Sequence, residues 1–154
     1  MVRTALLALV LAACGGGDKD KVIEVAAGGP IYSPATANSL RAIAPDCKLE
    51  RVGATEKREC SGRYGHVSIS TLGNHLSTLT IALPSKLLAE AKGHIGHGLK
   101  EVLGHEGVEA LLARLAMLET GQRADFIVGN AKVGLHAGGR SRIAPEYTVE
   151  LVWP

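Results

Sequence analysis

The sequence predicts an α+β fold, with an antiparallel sheet packed by a helical hairpin and one short helix. Residues 47–83 alternate between apolar and polar side chains, as half-buried strands do. Residues 87–118 instead carry apolar side chains at helical spacing, and the chain returns to alternating patterns from residue 124 to residue 153. Strands, then helices, then strands, without regular βαβ alternation, are typical of this fold class.

The short helix is predicted near the start of the domain. Serine is a common cap residue and proline fits the first helical turn, so Ser33-Pro34 indicates a helix start. Leu40 and Ile43 share one face of this helix, which Pro45 ends. A short strand is also expected over residues 22–27, before the helix.

The strand-rich stretch that follows divides into antiparallel hairpins. Gly73-Asn74 is a turn signal between two alternating segments, residues 67–70 and 79–83. Serine and threonine occupy the positions between the apolar residues, which predicts a sheet with one solvent-exposed face. The later strands are expected at residues 124–128, 132–136 and 147–153.

Two apolar stripes predict the helical hairpin, with the two helices joined near Gly104 and the second ended by Gly121. The first stripe consists of Leu87, Leu88, Ala91, Ile95, Leu99, Val102 and Leu103. The second consists of Val108, Leu111, Leu112, Leu115 and Leu118.

The N-terminal residues have the pattern of an export signal. Arg3 precedes an apolar run, Thr4–Ala13, that is too short to span a bilayer as a mature helix. The run ends in Leu11-Ala12-Ala13-Cys14, which resembles the lipobox of bacterial lipoproteins. The resemblance covers the first 14 residues. It concerns the localisation and membrane anchoring of the protein, not the activity of the domain.

The resemblance implies that residues 1–13 are removed and that Cys14 becomes the mature N terminus, carrying a diacylglyceryl group and a further acyl chain such as palmitate. Residues 14–21 would form a polar, glycine-rich tether, and residues 22–154 a single domain. Aspartate after the cysteine tends to retain lipoproteins in the inner membrane. Gly15 at that position implies outer-membrane sorting, with the domain facing the periplasm.

Export also implies an oxidising compartment, so we expect Cys47 and Cys60 to form a disulfide. The local pattern supports this pairing. Residues 48–52 and 55–59 are strand-like, and a turn at Gly53-Ala54 would place the two cysteines opposite each other. A zinc site is the weaker alternative, since the sequence has no second cysteine pair and no C-x-x-C.

Composition argues against nucleic acid as a partner. The 17 basic and 15 acidic residues give a net charge of only +2, whereas nucleic-acid binding calls for a clustered basic face. The sequence has one tryptophan, three tyrosines and one phenylalanine, so the core must be mainly aliphatic. No cofactor is predicted.

A histidine-rich helix is the candidate for metal binding. On an ideal helix His94, His97 and His105 lie along one stripe with Glu90 and Glu101. Histidines at this spacing, flanked by carboxylates, can bind a divalent metal. The alternative is an exposed face of Glu–His pairs, and three glycines within residues 93–98 weaken the helix itself.

No catalytic motif is evident in the sequence. His105-Glu106 departs from the H-E-x-x-H zinc-protease pattern, because Glu109 stands at the position of the second histidine. Nucleophile-elbow and phosphate-loop motifs are also missing from the sequence.

These observations favour a lipid-anchored, non-catalytic module that binds a protein in the cell envelope. It would act as an inhibitor or immunity protein, or as an accessory subunit of an envelope complex. One alternative is a metal-binding lipoprotein that uses His94, His97 and His105. The other is an envelope hydrolase whose active site is assembled from distant residues.

Overall fold

The computed structural model describes residues 28–138 and 146–154. Two helices lie within these residues, α1 (Pro34–Arg41) and α2 (Leu88–Met117), with a single 3₁₀ turn at Ser85–Leu87 before α2. The strands are β1 (Asp46–Val52), β2 (Thr55–Gly62), β3 (Gly65–Leu72), β4 (His75–Pro84), β5 (Arg123–Val128), β6 (Ala131–Ala137) and β7 (Glu146–Val152).

All seven strands form one antiparallel sheet in the order β1-β2-β3-β4-β7-β6-β5. The predicted mixture of helices and an antiparallel sheet is therefore confirmed. Strands β1 to β4 are joined by successive hairpins, whose turns include the predicted Gly53-Ala54 and Gly73-Asn74. The last strand then inserts between β4 and β6, so neighbours in the sheet are not always neighbours in sequence.

The start of α1 is the one predicted from the sequence. Ser33 is the N-cap residue, and its Oγ accepts a hydrogen bond from the backbone N–H of Thr36 at 3.2 Å. Pro34 occupies the first turn, where a missing N–H has no cost. Leu40 in α1 and Ile43, two residues after its end, are both buried, and they attach this short helix to the core.

Gly104 interrupts α2, with φ 72° and ψ 173°. Only glycine adopts these angles readily, because a side chain would collide with the backbone. A Cβ atom built on Gly96 would lie 3.5 Å from Val108 and 3.6 Å from Leu112, so the segments before and after the interruption are close together. The antiparallel hairpin arrangement of these two segments stays a prediction.

The predicted disulfide between Cys47 and Cys60 is confirmed. The two residues are directly paired across β1 and β2, and their Cα atoms are 4.0 Å apart. The bond lies on the outermost hairpin, where β1 is an edge strand with every residue exposed. It therefore ties the edge of the sheet to β2, whose Cys60 is buried in the core.

One hydrophobic cluster joins both helices to a single face of the sheet. It is aliphatic apart from Cys60 and Trp153, as the scarcity of aromatic residues predicts. Trp153 is only 5% exposed and packs against Gly29, where a Cβ atom would lie 2.6 Å from the indole ring. Cys14, the tether and the strand expected at residues 22–27 lie outside the described residues.

We predict that C47A/C60A lowers the free energy of unfolding by about 3 kcal/mol, the value for closing a loop of this size in the chain-entropy model. Urea denaturation of both proteins, with and without a thiol reductant, measures the difference. The reductant should destabilise the natural protein and leave the variant unchanged. Equal unfolding midpoints for the two oxidised proteins would contradict a stabilising role.

A second prediction compares two exposed glycines of α2. A Cβ atom would have nothing within 4 Å at either Gly93 or Gly104, so packing is the same at both sites. G104A should destabilise by about 1–3 kcal/mol, because alanine is strained at positive φ. G93A should stabilise by up to about 1 kcal/mol, because alanine favours a helix. Thermal unfolding checks both, and shifts of the same sign would argue against the break at Gly104.

Candidate functional site

The two faces of the sheet differ. One packs on the helices, and the other, which we call the open face, is covered by no element of the described residues. Its centre carries small hydroxyl side chains on β3, β4 and β7. These side chains belong to Ser68, Ser70, Thr78, Thr80 and Thr148. Charged residues flank this centre on the outer strands, which gives the face a polar middle and mixed-charge sides.

Glu59 organises one side of the open face. Its carboxylate accepts hydrogen bonds from Ser68 Oγ at 3.0 Å and contacts His66 Nε2 at 2.7 Å, with Lys57 Nζ also at 2.7 Å. Partial burial acts to raise the pKa of Glu59, but the hydrogen bonds from Lys57, His66 and Ser68 outweigh burial and lower this pKa to about 2. The carboxylate is therefore ionised at neutral pH and holds β2 to β3.

A serine, a histidine and a glutamate in one cluster invite comparison with a hydrolase triad, but their connections differ. In a triad the histidine bonds the serine hydroxyl and acts as its base. Here both Ser68 and His66 bond to Glu59. Within residues 28–138 and 146–154, no side-chain hydrogen bond joins a serine or threonine hydroxyl to a histidine. The cluster is built to pair strands rather than to activate a nucleophile.

A groove occupies the opposite side of the open face, where Gly134 of β6 provides no side chain. It has a volume of about 570 Å³, and a Cβ atom at Gly134 would lie 3.2 Å from Asp125 Oδ1. Arg123 Nε donates to both oxygens of Asp125, at 3.1 and 3.0 Å, and forms part of the charged rim. The side chains on the open face around it are Arg123, Asp125, Ile127, Lys132, Glu150 and Val152.

This groove was not predicted from the sequence. A glycine inside an otherwise regular strand was the available signal, since it often marks a close approach of a backbone or ligand. The residues around Gly134 were not predictable, because two of them, Glu150 and Val152, come from β7. That strand reaches Gly134 only by inserting between β4 and β6.

The helical side contains a smaller, more enclosed cavity of about 180 Å³ between α1 and β2. Arg58 lines it, donating from Nη2 to Glu56 at 2.6 Å while its Cζ lies 4.8 Å above the Tyr32 ring. Burial raises the pKa of Tyr32, against the opposing charges of Arg58 and Arg41. Arg58 Nη1 is buried without a hydrogen-bond partner, and the adjacent aromatic face offers it a weak acceptor. Solvent does not reach this nitrogen. We therefore interpret the contact between Arg58 and Tyr32 as packing that helps to hold α1 on the sheet.

The three histidines of the metal hypothesis have separate surroundings. The His94 ring lies against the Tyr64 ring, with centroids 4.7 Å apart, while His97 is exposed. His105 lies beyond the interruption at Gly104 and contacts Glu109 at 3.1 Å. In the described residues no three histidine, cysteine, aspartate or glutamate side chains are grouped as a metal site would need. The metal hypothesis assumed one continuous helix, and Gly104 removes that premise for His105.

Neither described helix is long and apolar enough to cross a bilayer. No protein-family model, curated protein or solved structure matches the chain.

We predict that E59Q destabilises the protein by about 1 kcal/mol at pH 7. This is less than the lowered pKa of Glu59 alone would give, because water screens a partly exposed ion pair. The pKa of Glu59 is lower in the folded state than in the unfolded state. Its contribution is therefore fully present above about pH 4.5 and is lost as the pH falls to about 2.

Urea denaturation at a series of pH values checks this prediction, with E101Q as the control. Glu101 is exposed on α2, and the described residues give its carboxylate no hydrogen bond or ion pair. The difference between natural protein and E59Q should shrink towards pH 2, while E101Q follows the natural protein throughout. A difference for E59Q that is independent of pH would contradict the assigned role of the carboxylate.

Proposed function

We propose that this chain is a lipid-anchored protein of the bacterial cell envelope, attached through Cys14, whose domain binds a partner protein with its open face. The anchor rests on the lipobox resemblance of Leu11-Ala12-Ala13-Cys14. Two or more acyl chains on Cys14 would make the attachment stable, whereas one chain would not. By the same resemblance, Gly15 favours the outer membrane, with the domain in the periplasm.

The disulfide supports an exported location. Disulfides persist in oxidising compartments such as the periplasm and are rare in reducing ones. Cys47 and Cys60 are bonded to each other, which would leave Cys14 available for acylation. The three cysteines of the chain thus divide into a bonded pair and an anchor.

The open face is the observation that carries the binding proposal. It extends across all seven strands of the sheet, and no described helix covers it. The rim of the groove at Gly134 combines two basic residues, Arg123 and Lys132, with two acidic ones, Asp125 and Glu150. Such a balanced rim suits a protein surface with charges of both signs and does not suit the uniform negative charge of a nucleic acid.

An apolar side chain of the partner would enter the groove beside Ile127 and Val152, while the charged rim would fix its orientation. An inhibitor, an immunity protein or an accessory subunit of an envelope complex would bind in this way. All three work by occupying a partner's surface and need no reacting groups. The surroundings of His94, His97 and His105, and the bonding of Ser68 and His66 to Glu59, favour this class over a metal carrier or a hydrolase.

We also propose that the two segments of α2 pair as an antiparallel helical hairpin with its bend at Gly104. The closeness of Gly96 to Val108 and Leu112 supports this, because a straight helix would separate residues 96 and 108 by about 18 Å at 1.5 Å per residue. The hairpin would act as the rigid backing for the open face.

The proposal predicts that the natively expressed full chain, crosslinked in envelopes and captured, carries an acylated Cys14 and brings down a specific envelope protein. G134L fills the groove and should reduce recovery of that protein by about tenfold or more, as expected for loss of a central contact. Mass spectrometry of the captured protein and its partner provides both measurements.

G93L is the matched control, because it places leucine at an exposed glycine of α2, away from the open face. It should recover the partner as the natural chain does. Equal recovery with G134L and G93L would argue against the groove as the contact. A captured chain that still carries residues 1–13 with an unmodified Cys14 would overturn the anchor.

A further inference from the structure

Three exposed aliphatic side chains lie in one row across an end of the sheet. Val52 pairs with Thr55, Thr55 with Leu72, and Leu72 with His75, and an isolated bridge joins His75 to Ile31. Val52 is 80% exposed, Ile31 56% and Leu72 49%. We call these five residues the terminal row. Since paired residues point to the same side of a sheet, the three apolar groups form one surface, which lies at one end of the open face.

The terminal row and the turns beside it contain no lysine, arginine, aspartate or glutamate. The two turns are Gly53-Ala54 and Gly73-Asn74, and residues 28–32 are likewise uncharged. The nearest charged side chains on the strands are those of Arg51 and Glu56, one residue further in, and they pair with each other at 2.7 Å.

The opposite end of the same strands differs. It carries Asp46 at the start of β1, Arg63 in the turn between β2 and β3, and Glu146 at the start of β7. The uncharged end is therefore a local feature of the fold and not a consequence of overall composition, in which 21% of residues are charged.

The chain from Cys14 joins the domain at the terminal row. Gly29 donates its backbone N–H to Leu76, and a Cβ atom on Gly28 would lie 3.2 Å from that of His75. Cys14 and Gly28 are fourteen residues apart, so they span at most about 50 Å when extended. This length permits several orientations of the domain at a membrane, so it is the surface of the domain that would select one of them.

We propose that the terminal row rests on the lipid surface to which Cys14 is anchored, and this inference depends on the proposed acylation of that cysteine. Exposed aliphatic groups gain from entering the boundary between headgroups and acyl chains, and an end without charged residues gives up little hydration there. In this orientation the strands stand upright on the membrane. Only the end of the open face that carries the terminal row then meets lipid, and the rest of that face points sideways and stays accessible to a partner protein.

Charged residues elsewhere limit the lipid contact to the end of the first four strands. Glu106 and His105 follow Gly104 on the helical side, near the corner where Gly107 packs against Val128. Lys57 lies on the open face in the next row inward from Thr55. These charges remain in water if contact is restricted to the terminal row.

The test places one environment-sensitive fluorophore on the acylated full chain in vesicles of phosphatidylethanolamine and phosphatidylglycerol. An introduced cysteine is the only thiol available for labelling, because Cys14 is acylated and Cys47 is bonded to Cys60. We compare V52C, opposite the first residue of β2, with R63C, in the turn that follows the last residue of β2. The V52C probe should be blue-shifted and quenched several-fold more by nitroxide-labelled lipids than the R63C probe.

Two aspartate substitutions give the matched control for the V52C probe. Leu72 is 49% exposed inside the terminal row, and Leu49 is 46% exposed on β1 outside it. L72D should abolish the extra quenching, because a charge would have to enter the lipid boundary. L49D should preserve it, so a general loss of stability cannot account for the difference.

Equal quenching of the V52C and R63C probes on acylated protein would overturn the lipid contact and leave the anchor intact. Quenching that disappears when the protein is diluted on the vesicles would assign the terminal row to a second copy of the chain instead. Mass spectrometry of the same sample shows whether Cys14 is acylated, and an unmodified cysteine would overturn the anchor together with this inference.

Discussion

Strand β7 forms backbone hydrogen bonds with β4 on one side and with β6 on the other. Strands β1 to β4 form one set of hairpins and β5 with β6 another, and β7 alone connects the two sets. Its inward residues Val149 and Leu151 are buried, and Trp153 beyond it packs against Gly29. Without β7 the aliphatic core would be divided and the groove at Gly134 would lose one wall.

The same sheet separates the roles of its surfaces. One face packs on α1 and α2, and no described element covers the open face. The two ends of the strands also differ in charge. The sheet is therefore asymmetric in two ways, between its faces and between the ends of its strands. For the tethered binding protein proposed above, these differences would keep most of the binding surface away from the membrane that holds the anchor.

Much of the fold could be predicted because the signals were local. Ser33-Pro34 specified a helix start through a cap and a fixed φ angle, and Gly53-Ala54 specified a turn that set Cys47 opposite Cys60. The metal hypothesis was weaker, because it assumed that one continuous helix runs from residue 90 to residue 105. A single glycine at positive φ, Gly104, interrupts that period.

The amino-acid sequence was enough to predict the alternation of strands and helices, the aliphatic core and the disulfide, since each depends on neighbours along the chain or on composition. It could not determine the position of β7, because pairing between distant strands leaves no local pattern. Tertiary structure alone therefore decided which residues surround Gly134 and which end of the sheet carries Ile31, Val52 and Leu72 together. Both candidate surfaces exist because hydrogen bonding brought distant segments side by side.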